Sequence, residues 1–323
     1  MFSAEVRACS QTTEMIIKVL GSAAGGGFPQ WNCNCRNCAA VRAGTPGFRA
    51  RTQSSLAVSR DGVNWALLNA SPDLRQQLNE TPQLHAAPKA GLRHSPIKAA
   101  VLTNGDVDHI IGLINLREAQ PFSIYASDRV LATLRANSVF QVLAEPLVPR
   151  IEIELDKPFK LEGAGIDLGL TVEAFAVPGK VALYLEDKSS ADFGSQEGDT
   201  IGLKITDPAE KKSFFYIPGC ADVDQKLRAR LKDASIVFFD GTLFTDDEML
   251  EQGLLNKTGA RMGHTSMSGA SGSIAAFSKL GVGRLIYVHI NNSNPVLNEN
   301  SPARKSVEGA GWEVGYDGLE VRL

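Results

Sequence analysis

Short apolar runs alternate with amphipathic stretches along most of the chain. Runs of about four to eight aliphatic, β-branched and aromatic residues between turn formers indicate strands, and apolar positions repeating about every three to four residues indicate helices. Strands separated by single helices are typical of a layered α/β fold. The pattern predicts strands at Ile16–Leu20, Trp65–Leu68, Ala99–Thr103, Leu170–Val177, Val181–Glu186, Ile201–Ile205, Ser213–Ile217, Ser235–Phe239 and Arg284–His289, and helices at Ile110–Ala119, Ser127–Ser138, Asp224–Lys232 and Ser268–Leu280.

Two polar stretches interrupt this alternation. Thr81–Ser95 is expected to be an inserted loop, and Asp187–Thr200 is either a mobile flap over a site or solvated surface. No Pro/Ser-rich linker divides the chain, so we expect one domain over residues 15–323. Residues 1–14 lack the apolar run of a secretory signal, so we expect a disordered tail, or translation that starts at Met15 rather than Met1.

Composition narrows the class of protein. Among 323 residues, 33 Lys and Arg against 36 Asp and Glu leave a net charge of −3, which gives no reason to expect a nucleic-acid partner. No apolar run approaches the roughly 18 residues of a membrane helix. The five cysteines are few and unevenly placed, which argues against a secreted disulfide framework. We therefore expect a cytoplasmic protein without a membrane span.

A cluster of cysteines is the first candidate for metal chemistry. Cys33, Cys35 and Cys38 lie so close in sequence that one turn of chain can present three thiolates to a Zn²⁺ ion. The fourth tetrahedral position would remain for a histidine from elsewhere. A fully ligated zinc site is closed to substrate, which favours a structural role. A redox pair, or three unrelated cysteines in a loop, are the alternatives.

Acidic and imidazole side chains follow two of the predicted strands. Asp106, Asp108 and His109 come after Ala99–Thr103 and before an apolar helix, so they can serve as metal ligands on a loop that the helix fixes. Asp106 could instead cap that helix. His289 ends the strand Arg284–His289 and is a candidate third ligand.

Three further residues stay open between roles. His264 could cap a helix, act as an acid or complete the zinc site. Cys220 follows a strand and faces the same pocket or is simply a buried, inert cysteine. Asp240 also ends a strand, where it would be a pocket acid or would orient a ligand.

The motifs, in their order along the chain, resemble the pyrroloquinoline quinone (PQQ) biosynthesis protein B family of the metallo-β-lactamase superfamily. This resemblance implies an α/β fold, a metallo-β-lactamase-like αββα four-layer sandwich with its active site at the strand ends. The superfamily's first metal motif is His-x-His-x-Asp-His, of which Asp108 and His109 keep the second half. The segments that carry the resemblance are Val19–Cys35, Leu68–Asp73, Asp106–His109 and Gly315–Gly318.

The departures from the superfamily pattern fall on one metal position. Asn104 and Asp106 stand where the two leading histidines would be, no histidine lies near Val177–Gly179, and Cys220 replaces the bridging aspartate. His289 is kept. Asp108, His109 and His289 would then hold a single metal in the two-histidine, one-carboxylate set of Fe(II) oxygenases.

The resemblance also implies roles for the remaining residues. Asp106 or Asp240 would handle protons or orient water. A similar cysteine cluster in related phosphodiesterases implies that His264 completes a Cys₃His zinc site with Cys33, Cys35 and Cys38.

The implied function is PQQ biosynthesis, with Fe(II)- and O₂-dependent hydroxylation of the tyrosine ring of a cross-linked Glu–Tyr substrate. A metallo-β-lactamase-type hydrolase and a carrier that binds PQQ for delivery or export are the alternatives. A homodimer and contacts with other enzymes of the pathway are left open.

Overall fold

The computed structural model describes residues 14–190 and 192–323. Most of the predicted tail, with Cys9, lies outside the described residues. Seven strands form the first sheet in the described part of the chain, in the order β14-β1-β2-β3-β4-β5-β6. They are β1 Ile16–Gly21, β2 Ser55–Ser59, β3 Trp65–Leu68, β4 Ile97–Val101, β5 Ser123–Ala126, β6 Arg150–Glu152 and β14 Glu320–Arg322.

The second sheet also has seven strands within the described ranges, in the order β13-β12-β11-β10-β9-β8-β7. Its strands β10 to β13 are parallel to one another, as are β3 to β6 of the first sheet. Its strands are β7 Phe159–Gly163, β8 Ile166–Ala176, β9 Ile201–Asp207, β10 Lys212–Ile217, β11 Ile236–Asp240, β12 Arg284–Val288 and β13 Trp312–Val314.

Short helices connect the strands. Side-chain oxygens of Ser127, Asp224 and Ser301 accept hydrogen bonds from the first turns of α4, α5 and α9, which explains where these three helices begin. Within the described ranges, no helix combines the length and the apolar character that crossing a bilayer requires. The helices are α1 Arg36–Arg42, α2 Leu74–Glu80, α3 Val107–Ile110, α4 Asp128–Ala136, α5 Gln225–Leu231, α6 Glu248–Glu251, α7 Gly259–Met262, α8 Ser273–Phe277 and α9 Pro302–Gly309.

The two sheets pack face to face. Alternate residues of both sheets, such as Val19, Leu68 and Phe238, are fully buried in the core between them. The outer face of the first sheet packs against α2 and α4, and that of the second against α5, α8 and α9. The predicted αββα sandwich is therefore confirmed.

Three predicted elements are wrong. Val181–Glu186 is not a strand, because Val181 N donates to Ser195 Oγ and Leu183 N donates to Asp106 Oδ1. The helix predicted at Ile110–Ala119 is a 3₁₀ segment at Ile111–Leu116, where a Cβ on Gly112 would meet Ser71 O at 1.9 Å. The helix predicted at Ser268–Leu280 is only α8, since Gly269 has a φ of 88°.

The loops that carry the candidate residues meet at one edge of the sandwich. The carboxyl ends of the parallel strands β4, β11 and β12 lie there, as expected for functional loops of a layered α/β fold. Isolated bridges join Ala23 to Ile290 and Asn104 to Thr200, so loops from both sheets are tied together at this edge.

Candidate metal centre

Asp108, His109 and His289 converge although they come from different sheets. One donor atom from each lies within 4.8 Å of the others. Asp108 and His109 lie on α3, directly after β4, and His289 follows β12. His289 Nε2 is 3.1 Å from Asp108 Oδ2, and His109 Nε2 is 3.9 Å from the same oxygen. We call these three residues the histidine site.

His109 is held in the form that binds metals. Its Nδ1 donates to Asn104 Oδ1 at 2.6 Å, and the same oxygen accepts Asp106 N, which fixes the orientation of the amide. The lone pair therefore resides on Nε2, which is buried and has no hydrogen-bond partner. Burial, opposed by Asp108, lowers the pKa of His109 to about 4. A neutral imidazole with an unpartnered buried nitrogen suits a metal ion.

His289 has a matching arrangement. Thr242 Oγ1 donates to Asp240 Oδ1 at 2.6 Å, so it accepts from His289 Nδ1 at 2.8 Å. Nε2 then carries a lone pair facing the Asp108 carboxylate, and two acceptors this close need a proton or a cation between them. Burial opposes protonation, but the hydrogen bond that Asp108 accepts from protonated His289, together with the Asp108 charge, outweighs burial and raises the pKa of His289. The donor set fits a cation.

Asp106 lies beside the histidine site and not within it. Its side chain does not cap α3, so the capping alternative is wrong. Asp106 Oδ1 instead accepts from Leu183 N at 3.3 Å. Burial and the negative charge of Asp108 raise the pKa of the Asp106 carboxyl.

Asp240 is fully buried and all of its hydrogen-bonding capacity is used. Its oxygens accept from His264 Nδ1 at 2.6 Å, from Cys220 N at 2.9 Å and from both the N–H and the hydroxyl of Thr242. Burial opposes ionisation, but His264 outweighs it and lowers the pKa of Asp240. Asp240 therefore orients His264.

His264 corrects an expectation. Its ring stacks on His289, with centroids 5.2 Å apart, and its Nδ1 meets Asp240. His264 therefore lies beside the histidine site. It is not part of the cluster formed by the sulfurs of Cys33, Cys35 and Cys38. The predicted Cys₃His site is wrong, because His264 is hydrogen-bonded to Asp240 at the end of β11 and lies next to the histidine site.

The thiol cluster, Cys33, Cys35 and Cys38, faces Asn292 instead. Asn292 Nδ2 is 3.1, 3.7 and 3.2 Å from the sulfurs of Cys33, Cys35 and Cys38. The three thiols are brought together by the start of α1, where Cys35 Sγ accepts from Cys38 N. Burial, with the neighbouring Cys38, raises the pKa of the Cys35 thiol to about 11, so only a bound cation would make it a thiolate at neutral pH.

The residues expected to replace ligands of a second metal, Cys220 and Asn104, both have other hydrogen-bond partners. Cys220 Sγ lies 3.1 Å from Asp222 O, and burial with the charge of Asp240 raises the pKa of this thiol well above its ordinary value. Asn104 is committed to His109. Among residues 14–190 and 192–323, one further group, Asp240, His264 and His289, brings donors together. In this group His264 Nδ1 is already hydrogen-bonded to Asp240, and His289 Nδ1 is hydrogen-bonded to Thr242.

Sequence analysis missed several residues that hold the site. Thr242 orients His289, Asn292 covers the thiol cluster, and Asn37 binds the loop that carries Asn292. Their common signal is a polar side chain directly after a buried strand or beside a ligand, as in the run of polar residues after His289.

Comparisons with known proteins agree with this architecture. The β-lactamase superfamily domain model matches residues 64–290, so the chain belongs to that superfamily. Coenzyme PQQ synthesis protein B of Rhodopseudomonas palustris is 53% identical over 308 residues, covering 94% of this chain and 98% of the relative. The protein of that name from Methylorubrum populi is 51% identical over 309 residues, covering 96% and 100%. Within the superfamily, the chain belongs to the coenzyme PQQ synthesis protein B family.

A solved structure of the family shows the same fold. The crystal structure of Zn²⁺-bound PqqB from Methylobacterium extorquens superimposes with a TM-score of 0.89 at 50% identity, and the match covers 95% of this chain and 100% of that one.

Proposed function

We propose that this protein acts in PQQ biosynthesis as a mononuclear iron hydroxylase of the tyrosine ring of a cross-linked Glu–Tyr intermediate. The observation that carries the proposal is the buried, unpartnered Nε2 of His109 beside Asp108 and His289. Membership in a family named for PQQ synthesis supports the pathway. Two imidazoles and one carboxylate support iron.

The chain's own residues prepare the site for a metal. Asn104 and Thr242 hold the two imidazoles with their Nε2 atoms directed at Asp108. Burial opposes ionisation of Asp108, but His109 and the His289 hydrogen bond outweigh it and lower the pKa of that carboxyl far below its usual range. Ferrous iron in such a set supplies activation of O₂ together with open positions for substrate.

His264 is the best-placed group to move a proton. Its Nδ1 is fixed by Asp240, which leaves Nε2 as the atom that can accept or donate a proton. The side chain of His264 remains partly exposed, at 19%, whereas that of Asp240 is fully buried. We therefore assign the proton role to His264, with Asp240 as its positioning residue, and keep Asp106 as a second acid beside the site.

The segment at Val181–Leu185 provides apolar surface for an aromatic substrate. Leu183 N donates to Asp106, and Tyr184 Oη donates to Gly105 O at 2.6 Å, so this segment lies over the loop that carries the ligands. The side chains of Leu183 and Tyr184 are about half exposed there. Such surface suits the tyrosine ring of the proposed substrate.

The experiment is anaerobic loading with Fe(II), followed by O₂ and a Glu–Tyr cross-linked substrate or a tyrosine analogue. We expect a product heavier by one oxygen atom, detected by mass spectrometry with ¹⁸O₂. His109→Ala should form none, whereas His85→Ala, which changes an exposed histidine in the loop at residues 81–95, should behave as wild type. Absence of product in every metal state contradicts the proposal.

The same protein preparation distinguishes two alternative functions, a hydrolase and a PQQ carrier. A hydrolase needs a second metal, which would have to displace the hydrogen bonds of Asp240 and His264. A carrier would bind PQQ tightly even when His109 and His289 are both replaced, and would show no turnover. A cytoplasmic location, a homodimer and contacts with other pathway enzymes stay predictions.

A further inference from the structure

One short segment of chain, residues 289–294, contacts both ligand clusters. At its start, His289 Nε2 faces Asp108 Oδ2 in the histidine site. Three residues later, Asn292 presents its side-chain amide to all three sulfurs of the thiol cluster. Asn292 is only 3% exposed, so its side chain has no access to solvent as an alternative.

The Asn292 amide occupies the fourth corner of the thiol cluster. A tetrahedral zinc with Zn–S near 2.3 Å and Zn–O near 2.0 Å places its oxygen ligand about 3.5 Å from each sulfur. The terminal amide atom of Asn292 lies 3.1–3.7 Å from the sulfurs. A half-turn of the amide exchanges its nitrogen for its oxygen. A cation at the three thiolates thus has its fourth donor on the segment that carries His289.

Asn37 fastens the same segment from α1. It stands next to Cys38 and is 6% exposed. Its Nδ2 lies 3.1, 3.1 and 2.9 Å from the backbone oxygens of Asn292, Ser293 and Asn294, to which it donates. One side chain on the cysteine helix therefore binds three consecutive peptide groups beyond His289.

The other side of the segment is tied to the residue that orients His289. Asn294 Nδ2 donates to Gly241 O at 3.1 Å and to Thr242 O at 3.3 Å. The hydroxyl of Thr242 in turn holds His289 Nδ1. His289 has a φ of 56°, a left-handed conformation that costs energy in a non-glycine residue and persists only when its surroundings hold it.

We propose that the thiol cluster and the histidine site are coupled through residues 289–294, with Asn37 as the positioning residue. Metal at the thiol cluster fixes Asn292, keeps His289 in its left-handed conformation and so raises the affinity of the histidine site for its own metal. By linkage, metal at the histidine site raises zinc affinity at the thiol cluster equally. The inference rests on the metal assignment of the proposed function and not on the reaction.

The test measures Mn²⁺ binding to the full-length protein by electron paramagnetic resonance of the free ion. Mn²⁺ favours oxygen and imidazole ligands over thiolates, so it reports the histidine site alone. Zinc-loaded wild type is compared with wild type freed of zinc under reducing conditions, and with zinc-loaded Asn37→Ala. Asn34→Ala, at an exposed position among the same cysteines, is the matched control.

We expect about 10–100-fold weaker Mn²⁺ binding both in zinc-free wild type and in Asn37→Ala, as is usual when an outer contact of a metal ligand is lost. Asn34→Ala should equal wild type. Zinc removal should have little additional effect in Asn37→Ala, because the coupling is already broken. Asn37→Asp, which has the same shape but cannot donate, should resemble Asn37→Ala.

Equal Mn²⁺ affinity in zinc-loaded and zinc-free wild type, with unchanged circular dichroism, overturns the proposal even if Asn37→Ala fails to fold. Failure of zinc-loaded wild type to bind Mn²⁺ contradicts the metal assignment itself, and the coupling with it. Mn²⁺ binding without coupling leaves the proposed function intact and refutes only this inference.

Discussion

The thiol cluster takes its three sulfurs from residues 33–38, whereas the histidine site joins two residues after β4 to one residue after β12 in the other sheet. The first is local in sequence and is covered by Asn292. The second is long-range and leaves the Nε2 of His109 without a partner. Three sulfurs closed off by Asn292 suit a structural metal, and an open mixed set suits chemistry, so we propose that the two clusters divide these roles.

The largest expected effect is the loss of metal from the histidine site alone. His109→Ala removes a ligand of the histidine site and should abolish metal binding there, together with hydroxylation. The thiol cluster should keep one zinc per chain, because its sulfurs do not contact His109. Metal analysis and the ¹⁸O₂ assay measure both. Loss of zinc together with iron, at unchanged circular dichroism, would show that the clusters are one site.

Replacing His264 tests its reassignment. His264→Ala should lower turnover by about 10²–10⁴-fold, the range that a general acid or base supplies, and should leave the zinc content at one per chain. The expected Cys₃His arrangement gives the opposite result, a zinc-depleted and destabilised protein. Zinc analysis and a melting curve distinguish the two, with His85→Ala as the control.

The contacts behind the histidine site should matter less than its ligands. Asn104→Ala removes the acceptor that fixes the His109 tautomer, and we expect about 10–100-fold weaker metal binding with the fold retained. Titration with Mn²⁺ measures this loss. An unchanged affinity would mean that burial alone orients the imidazole.

The smallest expected effect is on stability near the segment that joins the clusters. Glu248 accepts from Phe244 N at 2.8 Å and also binds the hydroxyl of Ser293, and burial raises its pKa to about 7. The folded state therefore holds a proton that the unfolded state releases near pH 4.5. The stabilisation that protonated Glu248 contributes to the folded state is complete below pH 4.5 and is lost as the pH rises through 7.

The free energy of unfolding should fall by roughly 2 kcal/mol between pH 5 and pH 7 on this account. Glu248→Gln, which stays neutral, should lose that part of the slope. Urea unfolding at several pH values measures it. If the free energy of unfolding changes with pH equally in the variant and the wild type, Glu248 does not cause the pH dependence.

The two clusters also show which parts of the candidate site can be predicted from the sequence. The close spacing of the three cysteines and the pairing of Asp108 with His109 are local, and both groups were predicted. His289 was found because it ends a strongly apolar strand. The partner of the thiol cluster was missed, since His264 and Asn292 are distinguished only by the packing of β11 and the turn after β12.

The same limit applies to the fold. Strands β8 and β11 were predicted. Strands β5, β6, β13 and β14, of three or four residues each, were missed, and so were the five-residue strands β2 and β7. The segment at Val181–Glu186 has the composition of a strand, but Leu183 and Tyr184 bind the ligand loop instead of a sheet.

The most direct test is the metal content of protein purified without oxygen, measured by mass spectrometry for wild type and His109→Ala. The division of roles between the clusters predicts one zinc and one iron per chain in wild type, and one zinc without iron in the variant. Two metals bound at Asp108, His109, His289 and their neighbours, or no metal beyond the zinc, would contradict it.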